Sequence, residues 1–203
     1  MSHSINQRMT KVGRRVRDIL IALAAIVCGA LLALVVPPIQ FGGAQAAPCQ
    51  PAVGRQATAD IPPGFLSAYK QAGERYHVPW PLLAGIGKVQ SDHGRKLVAD
   101  DEHVGPMGIR LDTVTDGVPV RPATGTGNEA DGDENGLIDL HTPADSIATI
   151  AMRFKAHNSS GGAQANAPKP DPKAGELARQ ALEAAERYAP GFDLSAAMKA
   201  CAA

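Results

Sequence analysis

Apolar residues along the chain fall into a few separate patterns. The first is an unbroken run from Ile19 to Val36, behind the basic residues Arg8, Lys11, Arg14, Arg15 and Arg17. It is about 18 residues long, near the lower limit for crossing a bilayer. Pro37-Pro38 ends it, and Ala44-Gln45-Ala46 fits a small-residue cleavage site. Residues 1–46 therefore read as a basic cytoplasmic tail with either a signal peptide or an uncleaved anchor. Both readings export everything after Gly42, leaving the protein anchored outside the cytoplasmic membrane or secreted to the wall. The residues after Arg14-Arg15, Val16-Arg17-Asp18, are too polar for a twin-arginine signal.

Residues 47–60 show no periodicity and read as a spacer. Helical spacing then appears. Phe65, Leu66, Tyr69, Ala72, Gly73 and Tyr76 mark one face of a helix that starts near Pro63 and stops before Pro79. Pro79 and Pro81 open a second helix with the stripe Leu82, Leu83, Ile86 and Val89, and Gly94 ends it. Residues 95–128 are rich in Gly and Pro and read as loop, with Gly117 to Arg121 as a candidate short strand. Thr142-Pro143-Ala144-Asp145 starts a further helix, with Thr142 as cap and Asp145 as the capping-box acid. Its buried face is Ile147, Ile150, Ala151 and Phe154. Residues 158–173 read as a flexible linker. An amphipathic helix runs from about Ala174 to Tyr188, and a short last helix opens at Asp193 or Ser195 and reaches Cys201. The pattern predicts a mainly α protein, with a folded domain over 61–157 and a C-terminal helical segment over 174–203.

Composition narrows the function. Lys+Arg and Asp+Glu number 20 each in 203 residues. No basic excess supports a nucleic-acid partner, and a monomer is expected. Aromatic residues are scarce, so the core rests on Ala, Leu, Ile and Val. Cys28 lies in the apolar run, whereas Cys49 and Cys201 sit at the two ends of the exported part, where oxidation is possible. A disulfide between them would close a loop of about 150 residues, worth roughly 4–5 kcal/mol in the chain-entropy model. The alternative is two unpaired thiols on frayed ends.

Two clusters carry candidate chemistry. Gln90 follows Ile86 by four residues and Leu83 by seven, which turns it toward the apolar stripe. A carboxylate there would be pushed up by desolvation and poised as a general acid. An amide of the same shape can grip a sugar but has no acidic proton. The plainer reading is a helix-end amide satisfied by backbone neighbours. His93 shares its side and reads first as a structural hydrogen-bonder, then as a base; Asp92 faces solvent. His77, His103, His141 and His157 show no paired metal-ligand spacing. In the acidic loop Asp131, Asp133 and Asn135 stand at positions 1, 3 and 5, Gly136 at 6, Leu137 at 7 through its carbonyl, and Asp139 at 9. This is the front of a calcium loop, although Thr142 occupies position 12, where a bidentate Glu belongs. Asp145 is the other acid within reach, but helix capping competes for it. A solvated acidic turn is the alternative.

Three stretches in order, "WPLLAGIGKVQSDHGR", "GPMGI" and "DGDENGLIDLHTPADSIATIAMRF", resemble the lytic murein transglycosylases, closest to their membrane-bound B-type branch and its Gram-positive relatives. The likeness covers roughly residues 61–155. It implies a lysozyme-like fold of the goose or soluble-lytic-transglycosylase type, and peptidoglycan glycan strands as partner. It puts Gln90 in the place of the family's single catalytic Glu. Ser91 and His93 would touch substrate, and Gly105, Pro106, Met107 and Gly108 would shape the groove wall. Asp131, Asp133, Asn135, Leu137 and Asp139 would hold a structural Ca2+. The chain departs from the family at Gln90 and after Phe154, where the usual Tyr-Asn pair and groove-completing helix give way to a Pro-rich linker. The expectation is a glycan-binding domain with impaired cleavage. An active transglycosylase using another acid and a non-enzymatic wall scaffold are the rivals.

Overall fold

The computed structural model describes residues 48–97, 101–125, 127–159 and 172–202, all within the unit Ala46–Ala203. The basic tail, the apolar run 19–36, Cys28 and residues 160–171 of the expected linker lie outside the described residues. Among the described residues no helix is long and apolar enough to cross a membrane.

The chain is mainly helical, with α1 Arg55–Asp60, α2 Pro63–Tyr76, α3 Trp80–Ser91, α4 Pro143–Ser159, α5 Pro172–Tyr188 and α6 Leu194–Cys201. Between α3 and α4 lie two antiparallel ribbons. In the first, β1 His103–Val104 pairs with β2 Ile109–Arg110. In the second, β3 Val120–Pro122 pairs with β4 Leu137–Asp139. The expected strand at Gly117 to Arg121 is thus present, shifted to Val120–Pro122, and the 95–128 stretch is less loop-like than its Gly and Pro content implied.

Helix α3 is the centre of the packing. It lies against α2 on one side and α5 on the other, while α2 also packs on α4. This explains a sequence apolar almost all round in its first two turns, with Trp80, Leu82, Leu83 and Ala84 buried. A Cβ at Gly85 would overlap the Ala181 carbonyl, so glycine is what lets α5 approach so closely. The facing side of α5 is correspondingly small: Ala181, Ala184 and Ala185 are buried there.

Helix α3 runs past its apolar stripe to Ser91 and ends three residues before Gly94, the expected stop. Asp92, His93 and Gly94 all take left-handed conformations, with φ of 51°, 56° and 79°. Asp92 N–H donates to the Lys88 carbonyl and His93 N–H to the Gly87 carbonyl, which satisfies the last turn. Two consecutive left-handed residues that are not glycine are costly, about 1 kcal/mol or more each. Something around them must hold the turn.

Two domain expectations need correction. Residues 48–60 are no spacer: they include α1, whose Ala57 is fully buried. The preceding stretch is clamped to the start of α3, where Gln50 Oε1 accepts from Trp80 N at 3.1 Å and Trp80 Nε1 donates to the Pro51 carbonyl at 2.8 Å. Nor is 174–203 a separate segment. Ala184, Ala185, Tyr188, Ala189, Phe192 and Ala197 join the same core as Leu83 and Ile147. Cys49 and Cys201 are bonded as a disulfide, with Cα atoms 4.6 Å apart.

Candidate functional site

The end of α3 brings Gln90 to a polar pocket of about 260 Å³ lined by Lys88, Val89, Gln90, Ser91, Asp92 and Lys96. Gln90 is half-buried. Its amide lies against Gly108, where a Cβ would stand 2.8 Å from Gln90 Oε1. Gly108 is left-handed with φ of 59°, so glycine both turns the chain there and leaves room for the amide. Among the described residues the Gln90 amide has no hydrogen-bond partner within the protein. The helix-end amide satisfied by its backbone neighbours is therefore not what forms.

The GPMG stretch is the tight turn between β1 and β2, closed by Gly108 N–H donating to the Gly105 carbonyl at 3.1 Å. Ser91 ties this turn to α3. Its Oγ donates to the Pro106 carbonyl at 2.6 Å and accepts from Gly94 N at 2.8 Å. Ser91 is buried and committed to these two bonds, so it positions the turn beside Gln90. Met107 is also buried, at 1 % exposure, and belongs to the core. Gly105 is fixed by packing, since a Cβ there would overlap the Leu140 carbonyl. Of the four turn residues, Gly108 is the one that meets Gln90.

His93 does not face the pocket. It is 1 % exposed and sits between two tyrosines, with Nδ1 3.0 Å from Tyr69 Oη and Nε2 2.8 Å from Tyr188 Oη. Tyr188 Oη donates to Asp60 Oδ2, so it must accept from His93 Nε2–H. That leaves Nδ1 to accept from Tyr69. Gly87 makes the arrangement possible, because a Cβ there would overlap the Tyr69 hydroxyl. Burial pushes the His93 pKa down to about 4, against a smaller upward pull from the Asp60 charge. The ring is neutral at pH 7, which fits one donor and one acceptor nitrogen. This network holds the left-handed turn and supplies the structural role of His93. A substrate contact by His93 is incompatible with its burial.

The same chain of bonds reaches the pocket. Asp60 accepts from Lys88 Nζ, with Oδ2 at 2.9 Å, and Lys88 also meets Asp92 Oδ1 at 2.7 Å. Burial raises the Asp60 pKa, but hydrogen bonds from Tyr188 and Lys88 outweigh it and hold the carboxyl below its ordinary value. Asp92 is held below its ordinary value chiefly by the Lys88 hydrogen bond. It is half-buried rather than fully solvent-facing. The i,i+4 pairing of Lys88 and Asp92 was legible in sequence. The part played by Asp60 and Tyr188 was not, because their positions are set only by tertiary packing.

The acidic loop is a separate site. Asp131, Asp133 and Asp145 bring carboxylate oxygens within 4.8 Å of one another. Asp145 is fully buried and accepts from Gly132 N and Asp139 N, both at 2.7 Å. It is therefore turned into the loop and does not close a capping box, although Thr142 Oγ1 does accept from Asp145 N at 3.3 Å. Asp131 accepts from Asn135 N and Gly136 N, and Asn135 Oδ1 accepts from Leu137 N. Asp139 accepts from His141 N and is not part of the three-carboxylate group. Burial, followed by the charges of Asp133 and Asp131, raises the Asp145 pKa; hydrogen bonds from Asp139 N and Gly132 N oppose it. Crowded hard oxygens with an uphill charge are a donor set suited to a hard cation.

One buried acid escaped sequence reasoning altogether. The Glu129 carboxylate is fully buried, paired with Arg121 at 2.7 Å and Arg153 at 3.0 Å, and accepts from Thr115 N. It ties the β3 ribbon to α4 and lines no part of the Gln90 pocket. Compared with family models, curated proteins and solved structures, the chain matches none.

Proposed function

We propose that this chain is an exported protein with a lytic-transglycosylase-like domain that binds peptidoglycan glycan strands and cleaves them weakly or not at all. The observation that carries this reading is the Gln90 amide, unpartnered among the described residues and exposed to a polar pocket at the end of α3. An amide so placed offers a donor and an acceptor to sugar hydroxyls. It cannot protonate a leaving oxygen. Losing general acid catalysis alone costs on the order of 10² to 10⁴ in rate.

Another acid is poorly placed to substitute. Asp92 is the carboxylate that lines the pocket, and Lys88 keeps it ionised. Asp101 and Glu102 are exposed and do not line the pocket. If residues 19–36 stay uncleaved, they hold the domain at the outer face of the membrane; if not, it is released to the wall. In the acidic loop, Asp131, Asp133 and Asp145 would hold a Ca2+ ion, with Asn135 beside them. Such an ion supplies positive charge that braces the loop, away from the Gln90 pocket.

The test uses the unit Ala46–Ala203, as the natural sequence and as Gln90→Glu, on purified peptidoglycan. Both proteins should sediment with the insoluble polymer. The natural sequence should release no anhydro-muropeptides, and Gln90→Glu should release them. Release by the natural sequence would instead make it an active transglycosylase. Failure of both proteins to sediment would leave the scaffold reading.

A further inference from the structure

The Cys49–Cys201 disulfide does more than join two chain ends. Both cysteines are half-buried. Cys201 lines a cavity of about 340 Å³ whose walls include Tyr76, Val78 and Met198. A reagent that enters this cavity therefore meets the Cys201 half of the bond.

On its other side the disulfide anchors a strap. Gln50, next in sequence to Cys49, donates from Nε2 to the Val78 carbonyl at 3.0 Å and accepts from Trp80 N at 3.1 Å. Pro51 accepts from Trp80 Nε1. Gly54 N donates to the Tyr188 carbonyl at 2.8 Å. The strap then becomes α1 and ends at Asp60, which accepts from Tyr188 and Lys88. One end of this segment is therefore the disulfide, and the other is the carboxylate that sets Lys88 in the Gln90 pocket.

We propose that Cys201 is a site of thiol–disulfide exchange for a dithiol reductant, and that opening the bond releases the strap from the start of α3. An incoming thiolate bonds to Cys201 Sγ and Cys49 leaves as the thiolate. The reductant's second thiolate then displaces Cys201. The protein gains two electrons and two protons and ends as two thiols, and the reductant ends as a disulfide. Freed of its anchor, the strap between Cys49 and α1 keeps one hydrogen bond to Val78, two to Trp80 and one to Tyr188, which water can replace. The inference concerns the strap alone and does not rest on any activity at Gln90.

Trp80 is the single tryptophan of the chain and is 1 % exposed. Its indole bonds directly to the strap, so its emission shifts when the strap leaves, and circular dichroism separates that from unfolding of the core around it. The full chain is compared with and without dithiothreitol, and alongside Cys49→Ser/Cys201→Ser, by tryptophan emission and far-ultraviolet circular dichroism. The expected result is a red shift of emission on reduction, helicity retained, and recovery of the original emission on reoxidation with glutathione disulfide. The double variant should show the shifted emission without reductant. Unchanged emission in the reduced protein would overturn the proposal. So would a red shift accompanied by loss of the helical signal, which would make the bond a staple of the whole fold. The glycan-binding assay is not used, so failure here leaves the reading of Gln90 untouched.

Discussion

His93 shows how one side chain can carry a costly turn. Its two nitrogens are taken up by Tyr69 and Tyr188, and the left-handed backbone of Asp92 and His93 is fixed between them. The network works only while the ring is neutral, because a second ring proton would meet a tyrosine hydroxyl already donating to it. The unfolded chain takes up that proton near pH 6.5, the folded chain only near pH 4. The stability held by the neutral ring is therefore complete above about pH 6.5 and is lost as the pH falls toward 4, by up to about 3 kcal/mol. Asp60 and Asp92, with lowered values, lose their contributions only below the ordinary carboxylate range. Asp145, held above its ordinary value by burial, acts in the opposite direction over the acid range and is common to the natural protein and His93→Asn. Urea unfolding between about pH 6.5 and 4.5 should show stability falling more steeply with acid in the natural protein than in His93→Asn, whatever its absolute stability. Equal slopes in the two proteins would refute the buried neutral imidazole.

The helices differ in how plainly the sequence announces them. α2, α3 and α4 were legible because apolar residues recur on one face and Pro marks their starts, α5 by its amphipathic pattern, and α6 by its capping Asp193, which accepts from Ala196 N. α1 was not, since Ala57 is its single buried residue and one alanine makes no stripe. The Ala-rich face of α5 was read as amphipathic, yet nothing local says that Ala181 meets the backbone at Gly85. Helical phase singles out Gln90, and the Gly-Pro-Met-Gly motif singles out its neighbour Gly108. Lys88, Asp60 and Tyr188 join through contacts between distant segments, which spacing cannot supply. The acidic loop sits between these cases. Its alternating oxygens are visible in sequence, but the role of Asp145 stays open there, because the local rule of helix capping competes with the loop for it. In the fold it turns inward, where burial and the neighbouring carboxylates raise its pKa. A divalent cation should relieve that repulsion. Calcium should raise the melting temperature by an amount that grows with its concentration, following the linkage relation, about 2.7 kcal/mol at a hundredfold excess over the dissociation constant. Asp131→Asn with Asp133→Asn should abolish the calcium response. A melting temperature indifferent to saturating calcium in the natural protein would mean a solvated acidic turn.

The stretches that resemble a known family end near residue 155, but the fold does not. Helix α5 covers one whole flank of α3, and Tyr188 closes the His93 network from that side. The strap before α1 is bonded to α5 through Gly54 and to α6 through the disulfide. Ends far apart in sequence are thus neighbours in the core. A chain ending at Ser159 would uncover the flank of α3 at Gly85, leave His93 Nε2 and Asp60 without Tyr188, and lose the cross-link. The cross-link alone is worth roughly 4–5 kcal/mol. Leaving a buried polar group without its partner costs about 1–3 kcal/mol more. Against a usual net stability of about 5–15 kcal/mol, these losses before any lost apolar burial suffice to unfold the remainder. The truncated protein should show no cooperative thermal transition by circular dichroism, whereas Ala46–Ala203 should show one. A sigmoidal melt from the truncated chain would place α5 and α6 outside the cooperative core, and would return the folded unit to residues 61–157.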